Sequence, residues 1–202
     1  MMLNRGKLIV VAGPSGTGKG TLEMRLMERH PEVKFSVSIT TRPPRDYEID
    51  GVHYHFINKS AFIEKIQKNE LIEWQEVYNK NGHLYGTLRS YVDAALSNGE
   101  ILLIDIDIKG GLNVKAQYPA DTVSIFVRPP SRDALLNRLQ MRGTDSPEQI
   151  QIRLERMPEE IELGEHFDYQ IINDDLDEAT RKMIEIGEEN CSQFNTAKSV
   201  NR

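Results

Sequence analysis

Cysteine is almost absent from this chain, which has a single one, Cys191, among 202 residues. One cysteine excludes an internal disulfide framework and a zinc site built from cysteines. The scarcity of cysteine is typical of proteins in a reducing compartment. We therefore predict a cytoplasmic location.

Long apolar runs and an excess of basic residues are missing as well. No run approaches the roughly 18 residues of a membrane span, and we expect no targeting segment at the amino terminus. With 25 basic and 31 acidic residues the formal charge is −6, which argues against a general nucleic-acid binder. Hydrophobic residues make up 39%, enough for a folded core. The expectation is one folded domain that binds neither nucleic acid nor membrane.

Residues 13–21 are the most informative stretch that is present. They follow the apolar run 8–12 and precede a helical pattern, which is the context of a phosphate-binding loop. Glycines let several backbone N–H groups turn toward one anion, and the helix N-terminus adds positive charge. A flexible strand–helix turn is the alternative. We predict nucleoside triphosphate binding by Gly13, Pro14, Ser15, Gly16, Thr17, Gly18, Lys19, Gly20 and Thr21.

One position of this loop departs from the usual pattern. The pattern has Ser or Thr directly after the lysine, where its hydroxyl binds Mg²⁺. Here Gly20 follows Lys19, and Thr21 comes next. We expect Mg²⁺ to be held largely through water, or Thr21 to take the role.

A pair of arginines follows residues 34–41, whose alternation predicts a strand. Arg42 and Arg45 lie on a loop that two prolines stiffen. Each guanidinium can donate a bidentate fork, so the pair suits a phosphate dianion. A solvated basic turn without a ligand is the alternative. Residues 52–57 also predict a strand, and the β-rich region from about 34 to 90 predicts an inserted subdomain.

Two carboxylates follow the buried strand predicted at residues 101–104. We expect Asp105 and Asp107 to share one face of that strand at its carboxyl end, where ligands bind in open α/β sheets. Carboxylates in such a place need cations or donors beside them. We expect one to serve Mg²⁺ and the other a ligand N–H, with a surface strand end as the alternative.

Arginines recur in two helices joined by a short turn. Arg138 and Arg142 lie four apart in the first, and Arg153 lies in the second, which begins after Ser146 and which Pro158 should break or kink. Such a pair predicts a mobile lid that closes on phosphates. An ordinary amphipathic helix pair with solvated charges is the alternative.

With these pieces in order, the sequence resembles the guanylate kinase family over nearly its whole length. The resemblance rests on stretches 13–19, 36–45, 51–56, 72–74, 85–87, 104–107, 138–143 and 172–175. It implies an α/β fold with a P-loop NTPase-type parallel sheet flanked by helices. It also implies one domain over residues 1–202, with a core at about 1–33, 91–127 and 161–190, a GMP-binding subdomain at about 34–90 and a helical lid at about 128–160.

The resemblance implies transfer of the γ-phosphoryl group of ATP to GMP, and to dGMP, with Mg²⁺ as cofactor and a monomer or homodimer as the assembly. Guanine N–H donors would be read by carboxylates, which adenine cannot satisfy. The implied GMP-binding residues are Ser38, Arg42, Arg45, Tyr54, Glu73, Tyr85, Thr87 and Asp107. The implied catalytic residues are Lys19, Arg42, Arg138, Arg142 and Arg153. Asn173 is expected to bind ATP. Thr21 and Asp105 are expected to bind the metal, directly or through water.

Two other functions stay open at this point. Related modules with this fold serve as protein-interaction surfaces, but they typically lose the phosphate loop that Lys19 marks here. A kinase for another nucleoside monophosphate, such as AMP or UMP, is the second alternative. The pair Gly20-Thr21 is similar to adenylate kinases, whereas Glu73 and Asp107 oppose AMP.

Overall fold

Nine strands and seven helices alternate along residues 5–77, 82–143 and 145–191, the part of the chain that the computed structural model describes. The strands are β1 (Lys7–Ala12), β2 (Val33–Phe35), β3 (Ile39–Thr40), β4 (His55–Phe56), β5 (Leu71–Val77), β6 (His83–Leu88), β7 (Ile101–Asp105), β8 (Thr122–Arg128) and β9 (Tyr169–Ile172). The helices are α1 (Lys19–Arg29), α2 (Lys59–Gln67), α3 (Arg89–Ser97), α4 (Ile108–Gln117), α5 (Arg132–Arg142), α6 (Pro147–Gly164) and α7 (Leu176–Asn190).

Five parallel strands form the larger sheet, in the order β2-β7-β1-β8-β9. Ile9 and Val11 of β1 pack in a cluster with residues of α1 and α7. Leu8 and Val10 point to the other face, where residues of α3 and α4 cover them. Burial on both faces explains the uninterrupted apolar runs, and the predicted parallel sheet flanked by helices is confirmed. Among the helices described, none is long and apolar enough to cross a membrane.

A second sheet, in the order β4-β3-β6-β5, occupies the predicted β-rich region. The single strand predicted at 34–41 was wrong, because β2 joins the larger sheet and β3 the second one. The strand predicted at 52–57 was too long, since only His55 and Phe56 pair as a strand. Ahead of them the N–H groups of Val52 and His53 both bond the carbonyl of Ile49, which makes a turn. The division into core and inserted subdomain stays a prediction.

Helices α5 and α6 are the predicted arginine-rich pair. Ser146 caps α6 through a capping box with Gln149, as expected. The predicted break at Pro158 was wrong: α6 continues to Gly164, so the proposed lid boundary at 160 lies inside it. Tertiary packing holds the helix on both sides of the proline. Leu154 lies in a cluster with α5, and Gly164 lies so close to Phe126 that an added Cβ would come within 2.5 Å of that ring.

Candidate active site

The phosphate-binding loop runs from β1 to α1, and side-chain bonds to its backbone carbonyls hold its shape. Gly13 has a φ of 149°, and a Cβ there would collide with the carbonyl oxygen of Val127. Thr17 Oγ1 donates to Pro14 O at 2.9 Å, and Lys19 Nζ donates to Gly13 O at 2.8 Å. Since α1 begins at Lys19, the free N–H groups of its first turn face the loop. The geometry fits the predicted phosphate cradle.

Residues from β9 and α5 support this loop from behind. Asn173 is 5% exposed, and its Nδ2 donates to Thr17 O at 2.7 Å. Its own carbonyl accepts Arg138 Nη2 at 2.8 Å. The side-chain amide of Asn173 therefore holds the loop, and its backbone carbonyl ties Arg138 to it. The assignment of Asn173 to ATP stays a prediction.

Two carboxyl groups lie beneath the loop, beside Lys19. Glu23 is 3% exposed, and its Oε1 has no hydrogen-bond partner. Burial raises the pKa of Glu23 to about 8; the charge of Asp105 adds to this effect and Lys19 opposes it. Asp105 ends β7 and is accessible from the cleft, yet the surrounding protein raises its pKa as well. Thr21 lies exposed on α1.

These oxygen donors fit a divalent cation such as Mg²⁺, which binds one or two carboxylates, substrate phosphates and water. The orphaned Glu23 oxygen beside Asp105 is the observation that supports the fit. Within the described ranges, no group of three or more His, Cys, Asp or Glu residues could hold a metal by itself. A metal ion at this place would therefore need ATP phosphates and water as further ligands.

A second pair of carboxylates lies where the two sheets meet. The expectation that Asp107 shares a strand face with Asp105 was wrong: β7 ends at Asp105, and Asp107 caps α4 by accepting the N–H of Gly110 at 2.8 Å. A Cβ on Gly110 would lie 2.7 Å from Asp107 Oδ1 and 3.0 Å from Glu73 Oε2, so the two side chains flank this glycine. Thr87 Oγ1 donates to Glu73 Oε1 at 2.7 Å.

Burial dominates the electrostatics of this second pair. Glu73 is 8% exposed, and burial raises its pKa to about 7 although the bond from Thr87 opposes the shift. Burial also raises the pKa of Asp107, while the N–H of Gly110 opposes that shift. Lys109 also opposes the shift of Asp107, and the pair presents carboxyl oxygens that could accept from the N–H donors of a ligand.

The arginine loop brings together the side chains predicted to hold a phosphate. Arg42 Nε donates to Tyr85 Oη at 3.2 Å, and its guanidinium lies 5.5 Å from the ring centre of Tyr54. Glu48 binds both terminal nitrogens of Arg42 at 2.8 Å. The bonds from Arg42 and from the N–H of Arg45 hold the pKa of Glu48 at about 2. The side chains predicted for this cradle therefore lie together with a carboxylate between them, and their role in binding phosphate stays a prediction.

The other residues predicted for GMP lie around this loop. Arg45 is exposed, and its Nη1 donates to Tyr47 Oη at 2.9 Å. Ser38 precedes β3, and its carbonyl accepts the N–H of His55. The hydroxyl of Tyr47 thus orients Arg45.

The lid arginines are held to different degrees. Arg138 is fixed by Asn173, and Arg153 Nη2 lies 3.2 Å from Asp145 Oδ1. Arg142 lies exposed in the last turn of α5. On α6, Glu160 faces the same cleft: burial raises its pKa, while Lys19, Arg156 and Arg153 oppose the shift.

Three glutamates of the site were missed by sequence reasoning: Glu23, Glu48 and Glu160. Spacing carried a signal in each case. Glu23 is four residues after Lys19 and shares its helix face, and Glu160 is seven after Arg153 on α6. Glu48 continues the three-residue spacing of Arg42 and Arg45.

Comparison with known proteins gives one consistent result. The family model described as guanylate kinase matches residues 5–190. The guanylate kinase of Symbiobacterium thermophilum is 48% identical over 179 residues, which cover 89% of this chain and 83% of that protein. The guanylate kinase of a Synechococcus strain is 44% identical, with 89% and 81% covered. A crystal structure of guanylate kinase from Anaplasma phagocytophilum matches with a TM-score of 0.72 at 29% identity, over 95% of this chain and 89% of that one.

Proposed function

Because the chain belongs to the guanylate kinase family, we propose that its cleft transfers the γ-phosphoryl group of ATP to GMP by direct in-line displacement. The chain is an ATP-dependent phosphotransferase with ATP and GMP as its substrates. The observation that carries the mechanism is the position of Asp105, whose charge acts on Lys19 on one side and on Tyr54 on the other. These interactions support an arrangement in which the phosphate-binding loop and the arginine loop face each other across one cleft.

Phosphoryl transfer requires two anions in line and their charge spread over fixed donors. The loop amides and Lys19 would hold the β- and γ-phosphates of ATP. Arg138, Arg142 and Arg153 would neutralise the phosphoryl group in transfer. On the other side, Arg42, Arg45, Tyr54 and Tyr85 would hold the phosphate of GMP. No side chain in these roles needs to form a covalent intermediate.

Guanine would bind between the two sheets, against Glu73 and Asp107. Guanine N1–H and the N2 amino group are donors, and the two carboxylates accept from them; Thr87 and Ser38 complete the set of polar groups. Adenine lacks both donors, so AMP would leave two buried acceptors without partners. Thr87 already holds Glu73 in place through its 2.7 Å bond.

Guanylate kinases generally need a divalent metal, and we propose Mg²⁺ here. Asp105 would hold it, directly or through water, and Glu23 lies close enough to contribute. Thr21, the other predicted ligand, stays a prediction. When bound, Mg²⁺ would neutralise charge that develops between the β- and γ-phosphates.

Closure of the second sheet and of helices α5 and α6 over the cleft would exclude water, which would otherwise consume ATP by hydrolysis. We propose residues 34–90 as the GMP-binding subdomain and residues 128–160 as the lid. Tolerance for dGMP, a monomeric or homodimeric state and a cytoplasmic location stay predictions.

ADP release from ATP and Mg²⁺, with GMP, AMP, UMP and CMP offered separately, tests the reaction. Rapid release with GMP alone is expected. Release with AMP or UMP instead would overturn the roles of Glu73 and Asp107, and no release with any acceptor would favour an interaction module. Inversion at a chiral γ-phosphorus is expected for one in-line step, and net retention would contradict it.

A further inference from the structure

Glu48 is the least exposed ionised group of the arginine loop, with a side chain only 4% exposed. Its Oε1 accepts Arg42 Nη2 and its Oε2 accepts Arg42 Nη1, both at 2.8 Å. The same Oε2 accepts the backbone N–H of Arg45 at 2.7 Å. One carboxylate thus joins both arginines of the predicted phosphate cradle.

An inventory of Arg42 shows how few donors remain for a ligand. A guanidinium has five N–H groups. Nε donates to Tyr85, Nη1 donates to Glu48 and to the carbonyl of Pro43, and Nη2 donates to Glu48. Counting contacts within the described residues, these four bonds leave one N–H, on Nη2. In this position Arg42 cannot bind a phosphate through two parallel hydrogen bonds, because only one N–H remains.

Arg42 is also confined by its surroundings. Its guanidinium lies 5.5 Å from the ring centre of Tyr54 and 5.7 Å from that of Phe56, and its side chain is 12% exposed. Turning it away would leave a buried carboxylate without its partner, which is strongly unfavourable. Arg45, by contrast, has a side chain that is 57% exposed, and its Nη1 lies 2.9 Å from Tyr47 Oη and 3.9 Å from Glu48 Oε1.

We propose that Glu48 is a positioning residue of the GMP-phosphate site, a role that rests on the proposed function. It fixes Arg42 so that one Nη2 N–H, next to the Tyr85 hydroxyl, points to the phosphate. Arg45 then supplies the bidentate fork. Arg42 acts as an oriented single donor, and most of its charge is matched by Glu48 before GMP arrives.

The test is Glu48→Gln, which keeps the size of the side chain, loses its charge and turns an amide NH₂ toward the donors of Arg42. GMP affinity, measured by calorimetry, should fall at least about tenfold. The KM for ATP and the affinity for guanosine, measured by competition, should stay unchanged, because neither ligand contacts this loop through a phosphate. Glu48→Asp, which keeps the charge, should restore part of the GMP affinity.

Two further variants make the result specific. Glu64→Gln is the matched control, since it removes a carboxylate from α2 that pairs only with exposed Lys68; GMP affinity should not change. Arg42→Lys should weaken GMP binding by itself, and adding Glu48→Gln should weaken it little further, because Glu48 acts through Arg42.

Different results would contradict the role of Glu48 and the proposed function. Unchanged or tighter GMP binding by Glu48→Gln would overturn the role, and tighter binding would show that the carboxylate competes with the phosphate. Equal losses for GMP and guanosine would also overturn it, since they would indicate a general loss of structure. An unmodified protein that bound no GMP would overturn the proposed function itself.

Discussion

The two phosphate-binding loops each contain a buried glutamate, and the two glutamates are in opposite states. Beneath the loop at residues 13–21, which we call the ATP-side loop, Glu23 is 3% exposed. Its Oε1 has no hydrogen-bond partner, and its pKa is about 8. In the arginine loop at residues 42–48, which we call the GMP-side loop, the Glu48 side chain is 4% exposed. It accepts hydrogen bonds from Arg42 and Arg45, and its pKa is about 2. The two glutamates are in opposite protonation states because burial and the charge of Asp105 act on Glu23, whereas three hydrogen bonds stabilise the charge of Glu48.

The same contrast describes how each loop is held. The ATP-side loop is fixed by its backbone conformation, which includes glycines with positive φ. The side chains of Thr17 and Asn173 donate to its carbonyls at Pro14 and Thr17. The GMP-side loop is fixed by side-chain ion pairs centred on Glu48. A backbone cradle should respond to steric changes, and an ion-paired cradle should respond to changes of charge.

Removal of Lys19, the cation of the ATP-side loop, should have the largest effect. Lys19→Ala should lower kcat about 100-fold or more, because it removes charge aimed at the transferring phosphoryl group. Single-turnover measurements with saturating ATP and GMP check this. Lys68→Ala, at an exposed ion pair on α2, is the control; wild-type turnover by Lys19→Ala would remove the lysine from catalysis.

A purely steric change should distinguish the backbone cradle. Gly13→Ala should lower the free energy of unfolding by about 3 kcal/mol, because its Cβ would collide with Val127 O at a φ that L-residues avoid. Gly20→Ala has no heavy atom within 4 Å of its Cβ and should stay within about 0.5 kcal/mol of the unchanged protein. Denaturant unfolding measures both, and equal values would refute steric closure of the loop.

The pH dependence of GMP binding should depend on Glu73. Its pKa of about 7 is raised by burial, and guanine donors need the ionised carboxylate. The KM for GMP should therefore fall as pH rises, by about tenfold from about pH 6 to pH 8. Glu73→Gln should remove this dependence and relax discrimination against AMP. Any slope that remains in the variant measures titration of the GMP phosphate, and an unaltered slope would exclude Glu73.

The smallest expected effect compares the two buried glutamates directly. Because the folded pKa of Glu23 is raised from 4.5 to about 8, the folded state binds more protons than the unfolded state between these values. The free energy of unfolding should thus fall as pH rises through this window, by on the order of 1 kcal/mol or more. Glu23→Gln should flatten that slope, measured by urea unfolding at several pH values.

Glu48→Gln provides the matched comparison for this slope. The pKa of Glu48 is lowered from 4.5 to about 2, so its contribution to stability is present above 4.5 and is lost only as pH falls toward 2. The variant should be less stable, yet its slope between about pH 5 and pH 8 should match that of the unchanged protein. A flattened slope in Glu48→Gln would contradict the assigned states.

Sequence reasoning was reliable where one local rule acts alone. The run of residues 8–12, the loop after it and the cap at Ser146 were each predicted from the pattern of a few neighbours, and the structure confirms them. The role of the arginine pair as a phosphate cradle stays a prediction. Reasoning failed at Pro158, where packing of Leu154 and Gly164 outweighs the local preference of proline.

The failures at the site have a common cause. Asp107 was expected on a strand, but the strand ends at Asp105 and the side chain caps α4 instead. Glu23, Glu48 and Glu160 look like ordinary surface glutamates in the sequence. The states of Glu23 and Glu160 depend on residues far away in the chain, and the state of Glu48 depends on a loop conformation that brings Arg42 and Arg45 onto it, so composition and spacing could not assign their charge.

The sequence by itself determined the parallel sheet and the position of the loop between β1 and α1, because these follow from local periodicity and motif chemistry. Only the tertiary structure decided which carboxylates share a cleft. It placed Glu73 beside Asp107 where the two sheets meet, left Glu23 Oε1 without a donor and gave Glu48 three donors. The charge of a buried group is set by the atoms that surround it, and those atoms come from every part of the chain.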